Sequence, residues 1–144
     1  VIRVLLADGD HRIRDALTAL LALEEDLEVV ATATSGSEAK SLACRDHPDV
    51  AVLDLRLPER DGINAAASIH EALPACKTVV VATHDLPGHL KRALEVGVNA
   101  FVPKSASAHE LAQIIRRVHR GDRYIDPSLV ADAVSSEGSV PGTD

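Results

Sequence analysis

"DVAVLDLRLPERDG", residues 49–62, decides the fold. Val50, Ala51, Val52 and Leu53 follow one another with no polar residue between them. A strand that is apolar at every position, and not only at every second one, is covered on both faces. The run ends at an acid, Asp54, and a turn signal follows in Pro58 and Gly62. Similar runs recur at "VIRVLLA" (1–7), "LEVVATA" (27–33), "KTVVVAT" (77–83) and "NAFVPK" (99–104). Helical stretches separate them. Ile13, Ala16, Leu17, Leu20 and Leu21 have helical spacing. "SGSEAKSLACRDH" (35–47) reads as a helix with Ser37 at its N-cap. Residues 62–73 form a helix that stops before Pro74. "PGHLKRALEVG" (87–97) closes at Gly97, and "SAHELAQIIRRVHR" (107–120) opens with a capping box of Ser107 and Glu110. Strand and helix in alternation predict an α/β fold, a doubly wound five-stranded parallel sheet with helices on both faces.

The bulk numbers bound the function. At 144 residues the chain can build one domain with a real core. Aromatic residues are 1% of the chain, so that core must be Leu, Val, Ile and Ala. A formal net charge of -7 argues against a nucleic-acid grip by this segment as a whole. Cys44 and Cys76 are the only cysteines. They form neither a disulfide framework nor a zinc motif, and read as reduced, small apolar residues of a cytoplasmic protein. No run is long enough to span a membrane, and no signal peptide precedes the first strand. A start at Val1 reads as a processed chain or a fragment.

Ligands of such sheets bind beyond the carboxyl ends of the strands. The polar residues there are Asp8 and Asp10, Asp54, Thr83 and Lys104. They come from four different strands and converge on one edge. Clustered carboxylates suit a hard cation such as Mg²⁺. Lys104 adds a positive charge and Thr83 a hydroxyl. Together these are the parts for phosphoryl transfer to a carboxylate.

From Val1 to about residue 121 the chain resembles the receiver domain of two-component response regulators. The resemblance rests on Asp8, on "DLRLPERDG" (54–62), on Thr83 and on "FVPK" (101–104). It implies a flavodoxin-like sheet in the order 2-1-3-4-5. It also implies phosphorylation at Asp54, with Mg²⁺ held by Asp8, Asp54 and the backbone carbonyl of Arg56. Lys104 would contact the phosphate, and Thr83 with Phe101 would form a switch. A sensor histidine kinase would be the phosphoryl donor. A homodimer through the last two helices is implied too, with Lys91, Arg92, Arg116, Arg117 and Arg120 as candidate surface residues. "RYIDPSLVADAV" (123–134) resembles the subgroup carrying a C-terminal LuxR-type helix-turn-helix, so any DNA contact would pass through a module absent from this chain.

The pattern departs at Gly9. The family usually has two adjacent acids after the first strand, and here the second is glycine. Asp10, one residue on, is a candidate ligand, but an N-cap of the first helix is the simpler role. Gly9 also suits a backbone that turns sharply. Weak Mg²⁺ binding is the expectation. Arg56 and Asp85 lie two residues past Asp54 and Thr83, where an ion pair would bridge the pocket mouth.

Plainer roles stand beside these. Lys104 alone reads as a solvated strand end, Thr83 as a β-branched strand residue and Phe101 as core. Arg116, Arg117 and Arg120 read as a solvated helix face, and the seven histidines lack ligand spacing. Two other functions fit parts of the pattern. One is a pseudo-receiver, poor in metal and controlled by a ligand or partner. The other is a phosphatase of the haloacid-dehalogenase type, for which "ADGDH" (7–11) fits a DxD signature. No acid pair follows Lys104 to complete that site, and Asp54 would go unused. No enzymatic activity is expected beyond self-phosphorylation and self-dephosphorylation. Residues 122–144 read as an extension: a short helix begun by Pro127, then a disordered, linker-like "SSEGSVPGTD" (135–144) with a further segment expected to follow.

Overall fold

The computed structural model describes residues 1–82 and 88–130. Strand and helix alternate as β1 (Ile2–Ala7), α1 (His11–Leu21), β2 (Leu27–Ala33), α2 (Gly36–Asp46), β3 (Val50–Asp54), α3 (Gly62–Ala72), β4 (Lys77–Ala82), α4 (His89–Val96), β5 (Ala100–Pro103) and α5 (Ala108–His119). A further short strand, β6 (Tyr124–Ile125), follows α5. The sheet is wholly parallel, in the order β2-β1-β3-β4-β5-β6. It is flavodoxin-like, with the expected order and one strand more than expected. β6 pairs with the outer edge of β5, Ala100 opposite Tyr124 and Phe101 opposite Ile125. Two residues are too few to show a period, so the sequence pattern could not announce it.

Each strand feeds both layers. Leu5, Ala51, Leu53 and Val80 pack with Ala39, Ala43, Ile63, Ile69 and Ala93, beneath α2, α3 and α4. Val4, Leu6, Val50, Val52 and Val79 pack with Leu21, Leu111, Ile115 and Val118, beneath α1 and α5. The uninterrupted apolar run of β3 is required by this two-sided cover.

Local signals set the helix ends. Ser107 and Glu110 form the capping box, and Gly97 closes α4 in the left-handed region at φ 82°. The N-cap of α2 is Ser35, not Ser37: the Ser35 hydroxyl accepts from the Glu38 amide at 3.1 Å. Gly36 explains the choice. A Cβ there would lie 1.8 Å from the carbonyl oxygen of Arg60, so the helix must enter at the glycine to pack on that loop. Cys76 is buried and Cys44 is exposed, so only Cys76 fits the expected apolar role. Burial pushes the Cys76 thiol up to about 12, which keeps it protonated. Among the described residues no helix is long and apolar enough to cross a membrane.

Candidate functional site

Register brings the site together. Ala7 lies opposite Leu53, so Asp8 and Asp54 leave neighbouring strands side by side. Ala82 lies opposite Pro103, so Lys104 leaves β5 at the same level. β1 and β3 flank the point where the chain order reverses, the place where a sheet of this kind opens a crevice.

The Lys104 ammonium donates to Asp8 Oδ2 at 2.8 Å and to Asp54 Oδ2. Asp8 Oδ1 accepts from the Asp10 amide at 2.8 Å, and Asp54 Oδ1 from the Arg56 amide at 3.3 Å. Both carboxylates are nearly buried, with side chains 5% and 13% exposed. Burial pushes the Lys104 ammonium down, but the hydrogen bonds it donates, first to Asp54 and then to Asp8, outweigh that and raise it above the ordinary lysine value. Two carboxylates therefore share one ammonium.

Asp10 is turned away. It is the N-cap of α1, and its Oδ1 accepts from the Arg12 amide at 2.9 Å. That bond, and the Arg12 guanidinium, hold its carboxyl below the usual value. Gly9 is not demanded by the backbone: its φ lies outside the left-handed region, and an added Cβ would meet Pro58 Cδ at 3.5 Å, an ordinary contact. The chain does bend at Gly9 on leaving β1, but through a backbone conformation open to other residues, so the missing carboxylate is a chemical trait rather than a steric one. Among the described residues no three or more His, Cys, Asp or Glu stand together to hold a metal.

The loop after Asp54 is pinned by glycine. A Cβ on Gly62 would lie 2.4 Å from the Asp54 carbonyl oxygen, and the Gly62 amide donates to the Leu55 carbonyl at 2.9 Å. Asp61 then caps α3 through the Asn64 amide at 2.8 Å. Arg14 was not legible as part of the site. From α1 it donates to the Asp8 carbonyl at 2.7 Å and fixes the strand exit. Its partner is a backbone oxygen, which leaves no mark in a charge pattern.

Phe101 is buried beneath α4, with Ile125 and Leu129 in the same cluster. Thr83, and the Asp85 partner proposed for Arg56, lie outside the described residues. Four of the five basic residues assigned to a partner face are engaged within the chain. Arg92 pairs with Asp61 at 3.1 Å, Arg116 with Glu24 and Asp26, and Arg120 with Asp122 at 3.4 Å. Arg117 stands over the Tyr124 ring at 4.9 Å.

Residues 4–116 match the family described as the response regulator receiver domain. The chain is 33% identical over 135 residues to the transcriptional regulatory protein DesR of Bacillus subtilis, covering 94% of this chain and 67% of that protein. It is 31% identical to the oxygen regulatory protein NreC of Staphylococcus carnosus, over 99% of this chain and 66% of the relative. Thus it spans about two thirds of the length of such relatives. The crystal structure of a LuxR-family two-component response regulator from Aurantimonas superposes with a TM-score of 0.86 at 27% identity, over 96% of this chain and 99% of that one. The receiver domain of the NarL response regulator of Mycobacterium tuberculosis gives 0.78 at 30% identity, over 83% of this chain and 97% of that one.

Proposed function

Because the chain belongs to the response regulator receiver domain family, we propose that Asp54 accepts a phosphoryl group from a sensor histidine kinase. One observation carries the reading: Asp8 and Asp54 converge at the crevice on a single shared ammonium. An Asp54 oxygen attacks the phosphorus of a phosphohistidine. The P–N bond breaks, and its electron pair leaves with the imidazole. With acetyl phosphate the P–O bond breaks and acetate leaves. Lys104 transfers a hydrogen bond from Asp54 to a phosphoryl oxygen and balances charge as it develops. The added charge, about -1.5 to -2, recruits the Thr83 hydroxyl and changes the packing of Phe101.

The donor set fits Mg²⁺ in a reduced form. Asp8, Asp54 and the Arg56 carbonyl would hold the ion, with water completing its shell. When bound it would neutralise phosphoryl oxygens. With Gly9 giving no carboxylate and Asp10 capping α1, that binding is weak, and labelling is slow or needs high metal. The output is transcriptional, through a DNA-binding module outside this chain; DesR is named a transcriptional regulatory protein, and a LuxR-family relative from Staphylococcus aureus a DNA-binding response regulator. Two copies pair through α4 and α5. The exposed Leu94 and Lys91 support this contact more than the arginines, which already have partners.

Intact-protein mass spectra after acetyl phosphate test the assignment. A gain is expected in the wild type and none in Asp54→Asn. Equal gains in both would overturn it. A gain confined to Asp8 would favour the phosphatase chemistry, and no gain at any Mg²⁺ concentration a pseudo-receiver.

A further inference from the structure

On the opposite face of the sheet from Phe101, the cover is incomplete. Val81 lies on β4, a central strand, yet is only half-buried. Ile13 and Leu17 of α1 are half-buried opposite it. A cavity of about 80 Å³ lies among these three, Val102 of β5 and Leu111 of α5. Composition explains it. The chain has one Phe, one Tyr, no Trp and no Met, and Phe101 sits in the other layer. Where α1, α5 and the sheet meet, Val and Leu are too small to fill the gap.

The cavity has one polar end, formed by Asp8 and Lys104. Each keeps hydrogen-bonding capacity. A carboxylate offers about four acceptor positions, and two of those on Asp8 are spent, on Lys104 and on the Asp10 amide. An ammonium has three donors, and Lys104 spends two. An acceptor and a donor side by side match a hydroxyl, which gives one hydrogen and takes another. A carboxylate ligand would be repelled by Asp8, and an ammonium ligand by Lys104. The volume is about half of the roughly 150 Å³ in which an engineered apolar cavity takes benzene. That leaves room for a body of about three or four carbons.

We infer that this cavity is a binding site for a small neutral molecule with an aliphatic body of about three or four carbons and a terminal hydroxyl. Its hydroxyl meets Asp8 and Lys104, and its body lies against Val81, Leu17 and Ile13. Such a molecule touches the lysine that holds Asp54, from behind the crevice. The inference does not depend on phosphorylation, and its test uses none.

The probes are 2-methylpropan-1-ol and xenon, each titrated into the ¹⁵N-labelled chain and followed by amide shifts. The alcohol is expected to give saturable shifts confined to α1, the ends of β4 and β5, and the start of α5. It should also displace xenon. Val81→Ile adds one methylene inside the cavity and should weaken the alcohol about tenfold, while circular dichroism shows an unchanged fold. Leu17→Phe fills the same space from α1 and should do likewise if Val81→Ile does not fold. Xenon binding without saturable alcohol binding would reduce the cavity to an apolar void and overturn the proposal. Shifts that rise linearly, and equally in Val81→Ile, would overturn it as well.

Discussion

Two clusters in this molecule have the same charge formula, one cation between two carboxylates. Lys104 stands between Asp8 and Asp54, and Arg116 between Glu24 and Asp26. The cations are equally exposed, at 28% and 27%. Their carboxylates are not: 5% and 13% in the first, 23% and 49% in the second. The fork of Arg116 meets Asp26 with two bonds of 2.7 Å and Glu24 with one of 2.6 Å, a matched and solvated staple from α5 to the turn before β2. Lysine is a point charge with no preferred plane, so it can exchange one oxygen for another at little geometric cost. The buried cluster is built from the exchangeable cation, and the exposed one from the directional cation. Burial with exchangeable partners marks chemistry, whereas exposure with matched partners marks packing.

The largest effect should separate the two clusters in one measurement. Lys104→Ala removes the donor that would meet the phosphoryl oxygen, and labelling by acetyl phosphate should slow by about 100-fold. Arg116→Ala should leave that rate unchanged. Equal slowing in both variants would mean that the clusters act alike through stability, and would break the distinction.

A second contrast concerns tolerance. The backbone under Asp54 is closed by Gly62, where a Cβ would lie 2.4 Å from a carbonyl oxygen. Gly62→Ala should cost about 1–3 kcal/mol in urea unfolding through overpacking. A neutral result would show that the β3–α3 loop yields, and that Asp54 is held less rigidly than its neighbours imply.

The third is the metal. Gly9 has room for a side chain, so Gly9→Asp should fold, and the added carboxylate should tighten Mg²⁺ by about tenfold. If the wild type already binds as tightly, and Asp10→Ala abolishes that binding, Asp10 leaves its cap to serve as the ligand.

The same two clusters show what the sequence made legible. Asp8, Asp54 and Lys104 could be placed together because each ends an apolar strand, and parallel register does the rest. The partners of Arg116 could not. Glu24 and Asp26 lie about ninety positions away in a turn, where no periodicity links them, so Arg116 read as a solvated face. Ser35 and Ser37 flank Gly36 and look equivalent as caps. The carbonyl of Arg60, distant in sequence, decides between them. β6 escaped because its two residues are held by the β5 edge, through Tyr124 N–H to Asn99 O and Asp126 N–H to Phe101 O, rather than by any pattern of their own. Strand ends are local information, and docking is not.

The smallest effect tests whether the Arg116 cluster is only a staple. Hydrogen bonds from Arg116 hold the Glu24 and Asp26 carboxyls below their ordinary values, against a smaller opposing cost of burial. Groups depressed in this way add stability that is present above their unfolded values and lost as pH falls through their folded ones. The urea midpoint of the wild type should therefore exceed that of Arg116→Gln slightly at pH 7, and the two should converge on acidification through the carboxylate range. His109 Nδ1 lies 3.7 Å from Glu24 Oε2, so the comparison is made in a His109→Gln background, which removes that neighbour. High salt at pH 7 should close the gap as acid does, because exposed charges are screened. A gap that survives both treatments would assign Arg116 a packing role through its aliphatic stem, and the likeness between the two clusters would then end at their charge formula.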